Sequence, residues 1–172
     1  PLMTTKPMFD LAYTGGFAVG AFNVNNMEIT QAIIDACAAE SAPTILQISK
    51  GARKYANIRY LRKIIEAAVE EHPELPIAVH CDHGDTLKLI QECISDGYTS
   101  VMIDGSHHPY DQNVKVSREG VDVAHAAGVT VEAELGQLGG IEEDVVGLSA
   151  EEYQKNLGKF LTDPQQAADF WQ

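Results

Sequence analysis

Short runs of apolar, often β-branched residues alternate along this chain with longer segments in which apolar positions recur at helical spacing. The short runs predict strands at 18–24, 44–48, 76–81, 100–103 and 130–135. The longer segments predict helices at 27–40, 58–71, 86–96 and 111–127, and Asp163-Pro164 opens a further helix at the end of the sequence. Because strands that alternate with helices form βαβ units, the pattern predicts an α/β fold with a parallel sheet.

Polar residues at the strand ends distinguish an open doubly wound sheet from part of a (β/α)8 barrel. Almost every predicted strand delivers polar groups at its C-terminal end: Asn23 and Asn25; Gln47, Ser49 and Lys50; Asp82 and His83; Asp104; Glu132 and Glu134. A ring of strands that directs functional groups toward one mouth is typical of the barrel, whereas a doubly wound sheet offers a single crevice. The first turn also lacks the G-x-G-x-x-G of a dinucleotide-binding fold. We therefore expect a TIM barrel.

The tract His80-Cys81-Asp82-His83-Gly84 follows the apolar run 77–79 and brings two imidazoles and a carboxylate to a strand end. In a regular strand, Asp82 and His83 would face opposite sides of the sheet. Both reach one site only if the chain turns out of the strand there, which Gly84 permits. The tract is therefore the first candidate for the chemistry of this protein.

A pair of carboxylates on the last predicted strand strengthens the case for a cation. Glu132 and Glu134 are two residues apart, so they project to the same side of the strand. Two carboxylates in a barrel interior are costly to desolvate without a cation or hydrogen-bond donors. With the imidazoles of the third strand, they predict a metal site, and this ligand set suits zinc, with iron or cobalt as substitutes.

Three other segments have a structural and a functional interpretation. The tract 49–53 is either an ordinary turn after a strand or a phosphate-binding loop, with backbone N–H groups, a hydroxyl and positive charge. His107 and His108 lie beyond a strand, where we expect a capping and loop role. The segment 136–147 is rich in glycine and acidic residues, which is typical of a mobile loop that closes over a barrel mouth.

Composition bounds the class of protein and its partners. The chain has 172 residues, of which 45% are hydrophobic, enough for one domain with a substantial core. The net charge of −13 argues against nucleic acid and anionic membranes as partners, but a phosphorylated substrate needs only a local pocket. We expect a cytoplasmic protein, because the sequence shows neither a membrane-spanning run nor a signal peptide. Its three cysteines lack the spacing of a disulfide framework or a zinc knuckle.

Five motifs together resemble the class II, metal-dependent fructose-bisphosphate and tagatose-bisphosphate aldolases. They are GAFNVNN (20–26), SKGARKYA (49–56), HCDHG (80–84), MIDGSHHP (102–109) and VEAELGQLGG (131–140), in the order and spacing of that family. The resemblance implies a lyase of glycolysis and carbohydrate metabolism with a (β/α)8 barrel, usually a homodimer or homotetramer. It implies reversible cleavage of fructose 1,6-bisphosphate to dihydroxyacetone phosphate and glyceraldehyde 3-phosphate.

The resemblance also implies roles for individual residues. His83 matches a catalytic zinc ligand, and Asp82 matches the acid/base at the C4 hydroxyl of the sugar. Asp104 and Glu134 match the carboxylates of an alternative or second metal position. The implied substrate-binding residues, at the glyceraldehyde 3-phosphate end, are Asn23 and Ser49. Glu142 matches the loop acid that moves a proton at the enediolate carbon. The implied metal is Zn²⁺, with Fe²⁺ or Co²⁺ as substitutes, and the family also admits a monovalent cation.

The chain departs from the family pattern in its extent. A full barrel has eight strands, and we expect residues 1–172 to be a single domain that supplies the first five βα units and stops before the sixth strand. The other zinc histidines and the glycine-rich phosphate loops of the family are not in this sequence. Two alternatives stay open: a tagatose 1,6-bisphosphate aldolase, and an inactive half-barrel that acts only with a partner chain.

Overall fold

The computed structural model describes residues 1–136, 149, 151, 152, 155, 158 and 161–172. Its strands are β1 (Gly20–Asn23), β2 (Thr44–Ser49), β3 (Ile77–Gly84), β4 (Ser100–Ile103) and β5 (Thr130–Ala133). Its helices are α1 (Thr5–Gly15), α2 (Met27–Ala39), α3 (Lys50–Ala56), α4 (Ile58–Glu71), α5 (Leu87–Ser95), α6 (Tyr110–Ala126) and α7 (Pro164–Phe170). In the described part of the chain, no helix is long and apolar enough to cross a membrane.

The five strands form one parallel sheet in the order β1-β2-β3-β4-β5. A doubly wound sheet reverses its strand order at a switch point, whereas a barrel adds each new strand to the same side. The sequential order found here therefore agrees with the predicted α/β barrel architecture. Parallel strands also end at the same edge, so all five C-terminal ends lie side by side.

The two faces of the sheet pack against different elements because side chains alternate along each strand. Leu46 and Ile48 on β2 and Val79 on β3 belong to the main core, which they share with the helices that follow the strands. The alternate positions Ile45 and Ala78 instead pack against Met8 of α1 in a second, smaller cluster. Toward the C-terminal edge this second face carries polar side chains in place of apolar ones. The site described below lies there.

Two helices were missed in the sequence. The tract 49–53, for which the sequence left a turn and a phosphate-binding loop open, is the start of α3. Ser49 caps this helix, since its Oγ accepts from the backbone N–H of Ala52 at 3.1 Å. α1 lies before the first predicted strand and buries only Thr5, Met8 and Ala12. α3 has only seven residues, and in α1 the apolar Phe9, Leu11 and Tyr13 are exposed, so neither helix shows a single apolar stripe in the sequence.

Candidate active site

The third strand is longer than predicted and irregular at its end. The register between β3 and β4 shifts between Cys81 and Gly84, and His83 has a φ of +49°. A histidine in this left-handed region is strained, and such strain is concentrated at functional sites. The sequence predicted a turn at this place but assigned the conformational freedom to Gly84. Gly84 is needed for space instead, because an added Cβ would lie 2.5 Å from the Met102 carbonyl oxygen.

Asp82 is held by two neutral amides from the neighbouring strands. The Nδ2 of Asn23, at the end of β1, donates to Oδ2 of Asp82 at 2.7 Å. The Nε2 of Gln47, on β2, donates to Oδ1 at 2.9 Å. A carboxylate oxygen can accept two hydrogen bonds, and each oxygen of Asp82 accepts one from these amides, so both can accept a further donor. The side chain is therefore oriented by its neighbours and still available to a ligand.

His83, Asp104 and Glu134 come together at the ends of β3, β4 and β5. His83 Nδ1 lies 2.8 Å from Asp104 Oδ2 and 3.8 Å from Glu134 Oε2. One ligand atom from each of the three residues lies within 4.8 Å of the other two. The two carboxylate side chains are mostly buried, at 19% and 17% exposure. The structure thus brings together the three residues for which the family resemblance implied a metal role.

The electrostatics of this triad favour a cation. Burial by itself lowers the pKa of His83, but the hydrogen bond to Asp104 and the charges of the nearby carboxylates outweigh it, so the pKa is raised. Burial alone would raise the pKa of Asp104, but hydrogen bonds from His83 and Ser106 lower it below its ordinary value. Two carboxylates beside one imidazole make a negatively charged pocket. Imidazole nitrogen and carboxylate oxygen are ligands that suit Zn²⁺, so the residues fit a bound divalent metal.

His80 and Glu132 form a separate pair, in which the imidazole is buried and the carboxylate side chain is 60% exposed. His80 is 3% exposed, and its Nδ1 lies 2.8 Å from the Ser100 hydroxyl. Its Nε2 lies 3.4 Å from Glu132 Oε2. Burial is the main reason that the pKa of His80 falls to about 4. The pKa of Glu132 is raised by partial desolvation and by the negative charge of Asp82. The sequence placed Glu132 and Glu134 at one cation site, but only Glu134 lies with His83.

Ser49, the last residue of β2, lies directly opposite Asp82 of β3 in the strand register. Its hydroxyl caps α3, so it accepts a backbone N–H in this structure. Lys50 follows it and forms an ion pair with Asp85 at 2.6 Å. The tract 49–53 is therefore a helix start at the same edge of the sheet. Glu142 lies outside the described residues.

Two residues of this site were not identified from the sequence. Gln47 was noted as a strand-end polar residue but received no role; it lies two positions before Ser49 and therefore shares its face of β2. Ser106 was not considered, although its N–H and Oγ both donate to Asp104 Oδ1, at 3.0 and 2.7 Å. The Asp-x-Ser spacing is the available signal, because an aspartate commonly accepts from the backbone two residues on.

Comparisons with known proteins assign the family. The sequence profile of "Fructose-bisphosphate aldolase class-II" matches residues 3–172. The fructose-bisphosphate aldolase of Giardia intestinalis is 51% identical over 170 residues, which cover 99% of this chain and 50% of that protein. The fructose-bisphosphate aldolase of Treponema pallidum is 53% identical over 151 residues, covering 84% of this chain and 46% of that protein. This chain therefore spans about half the length of these relatives.

A solved structure supports the same assignment. The YdjI aldolase from Escherichia coli K12 superposes with a TM-score of 0.81 at 26% sequence identity, covering 99% of this chain and 56% of that one. The five-stranded parallel sheet thus corresponds to part of an aldolase barrel, as the strand-end pattern predicted. With the match of the family profile along almost its whole length, this chain belongs to the class II fructose-bisphosphate aldolase family, whose members depend on a metal ion.

Proposed function

We propose that this chain supplies the acid/base and metal-binding half of an aldolase that reversibly cleaves fructose 1,6-bisphosphate to dihydroxyacetone phosphate and glyceraldehyde 3-phosphate. The observation that carries the proposal is the cluster of His83, Asp104 and Glu134 at the strand ends. Asp82, which two amides hold in place, immediately precedes His83 in the chain. Cleavage between C3 and C4 requires both a base at the C4 hydroxyl and a way to stabilise negative charge. The chain provides one group for each requirement.

Asp82 is the proposed base. A carboxylate within hydrogen-bond reach of the C4 hydroxyl takes its proton as the C3–C4 bond breaks. The amides of Asn23 and Gln47 fix the orientation of the carboxylate and leave lone pairs free for that hydroxyl. Neutral donors do this without adding a positive charge beside the base. Asn23 and Ser49 are the proposed contacts to the glyceraldehyde 3-phosphate end, and Glu142 is the proposed acid at the other fragment.

His83, Asp104 and Glu134 are the proposed metal ligands. A bound divalent cation supplies Lewis-acid stabilisation of the negative charge that develops when the bond breaks. The carboxylate of Asp104 is kept anionic by Ser106, which donates to it twice, and by His83. These contacts orient one carboxylate oxygen toward Ser106 and the other toward His83. The ligands are therefore positioned by the protein itself.

Three finer assignments belong to the same proposal. Zn²⁺ is the proposed ion, because imidazole and carboxylate are typical zinc ligands. The cytoplasm is the proposed compartment, and it fits the three buried free cysteines Cys37, Cys81 and Cys93. A homodimer or homotetramer is the proposed assembly, from the family resemblance. Fructose rather than tagatose bisphosphate is the proposed substrate, because the similar proteins are named for the former.

The experiment measures triose phosphate release from each of the two ketose bisphosphates. We expect faster cleavage of the fructose compound, loss of activity with EDTA and recovery with Zn²⁺. Asp82→Ala should abolish cleavage and leave the metal content unchanged, whereas Asp122→Ala, which removes an exposed carboxylate on α6, should change neither. Full activity of Asp82→Ala, or activity that survives complete metal removal, would refute the proposal.

A further inference from the structure

Asn113, near the start of α6, is a buried polar residue that the proposed mechanism does not use. It is 3% exposed, and its Nδ2 donates to the main-chain carbonyl oxygen of Glu134 at 2.7 Å. Its Oδ1 accepts from the hydroxyl of Ser117, one helical turn further on, at 3.1 Å. A carbonyl oxygen only accepts, so the NH₂ group of the amide must face Glu134. The orientation of Asn113 is thereby fixed from both sides.

Asn113 also contacts the segment that follows the other carboxylate of the triad. A Cβ added to Gly105 would lie 2.4 Å from Oδ1 of Asn113, so the main chain after Asp104 packs directly against the amide. Only a residue without a side chain leaves this space. Asn113 therefore lies between the segment that contains Asp104 and the segment that contains Glu134.

The position of Asn113 matters because the strand ladder ends just before these residues. The register between β4 and β5 pairs Ile103 with Ala133 as its last step, and Asp104 and Glu134 are the next residues of each chain. Beyond a ladder, the relative position of two segments depends on other contacts. The amide of Asn113 supplies one such contact by binding one segment and packing against the other.

We propose that Asn113 is a positioning residue for the metal site: it holds the main chain of Glu134 at a fixed distance from Asp104, so that both carboxylates face His83. This inference rests on the proposed function, because it takes these three side chains as the ligands. Partners outside the ligand set that orient metal ligands typically change metal affinity by 10- to 100-fold when they are removed. Asn113 acts on the backbone of one ligand instead of its carboxylate.

The test compares two variants of the intact polypeptide. Asn113→Asp keeps the size of the side chain but replaces the donor with a carboxylate oxygen facing the Glu134 carbonyl. Ser117→Ala is the matched control, since it removes the other hydrogen bond of Asn113 and leaves the contact to Glu134 in place. After removal of metal by a chelator, Co²⁺ is titrated in, and its visible absorption reports both affinity and coordination geometry.

We expect Asn113→Asp to raise the Kd for Co²⁺ at least about tenfold and to alter the cobalt spectrum, and Ser117→Ala to stay within about threefold of the unchanged protein. Thermal unfolding of the metal-free proteins is measured in parallel. A purely structural role would lower the melting temperature of Asn113→Asp and leave Kd and spectrum of the folded protein unchanged. That result, or an equal loss in Ser117→Ala, would overturn the inference.

Two further variants separate the possible failures. Asn113→Ala, which introduces no charge, provides the same comparison if Asn113→Asp does not fold. His83→Ala tests the ligand set itself: if it binds Co²⁺ as tightly as the unchanged protein, the proposed metal site is wrong. If His83→Ala loses Co²⁺ binding and both Asn113 variants keep it, only the positioning role fails.

Discussion

The hydrogen bond from Gln47 to Asp82 gives a direct test of how the proposed base is oriented. Gln47→Met keeps the length of the side chain and removes the donor, so that Oδ1 of Asp82 loses its 2.9 Å contact. Asn23 still holds the other oxygen at 2.7 Å. The carboxylate then retains one of its two amide donors and gains freedom to rotate.

The expected magnitude follows from the type of bond. A hydrogen bond to a charged group contributes about 1.5–3 kcal/mol, and the lower end applies here because Asp82 and Gln47 are only partly buried. About 1.5 kcal/mol corresponds to roughly a tenfold fall in kcat/KM if the bond is needed in the transition state. We expect the loss mainly in kcat, because the oriented carboxylate acts on the C4 proton as the bond breaks.

The assay is steady-state cleavage of fructose 1,6-bisphosphate, with metal content and thermal unfolding measured on the same preparations. Gln91→Met, an exposed position on α5, is the matched control and should behave like the unchanged protein. An unchanged kcat/KM in folded, metal-loaded Gln47→Met would refute the reasoning. A fall that merely follows lost metal or lost folding would refute it as well.

Two further predictions concern stability. His80 has a pKa of about 4 in the folded protein and 6.5 in the unfolded chain, so the unfolded state binds the proton more readily and stability is lost as the pH falls from 6.5 to 4. In urea unfolding, the difference in free energy of unfolding between the unchanged protein and His80→Gln should therefore shrink from pH 6.5 to pH 4. A constant difference would contradict this. Gly84→Ala should lower the free energy of unfolding by about 1–3 kcal/mol, because the added Cβ would meet the Met102 carbonyl oxygen. Gly51 lies in helix α3, where an added Cβ would be 3.7 Å from the nearest atom, so Gly51→Ala should raise the free energy of unfolding by up to about 1 kcal/mol. Equal effects of the two substitutions in urea unfolding would show that the close approach at Gly84 is unimportant.

The sequence by itself determined the fold class and the strand ends at which the candidate site lies. The strands and the helices α2, α4, α5 and α6 were predictable because each has a long or β-branched apolar pattern. The strand-end polar residues were predictable because parallel strands place their C-terminal ends at one edge. α1 and α3 were missed because α3 is only seven residues long and the apolar residues of α1 do not form one buried stripe.

Only the tertiary structure decided which of these polar residues meet. From their two-residue spacing, Glu132 and Glu134 were expected at one cation site. In the structure, Glu132 lies beside the buried His80, and Glu134 lies beside His83 at the end of the strand. The register shift in β3 and the positive φ of His83 turn this imidazole toward Asp104, which no spacing rule specifies. Gln47 and Asn113 became recognisable only through their partners, because a hydrogen bond between distant residues depends on register and packing rather than on local pattern.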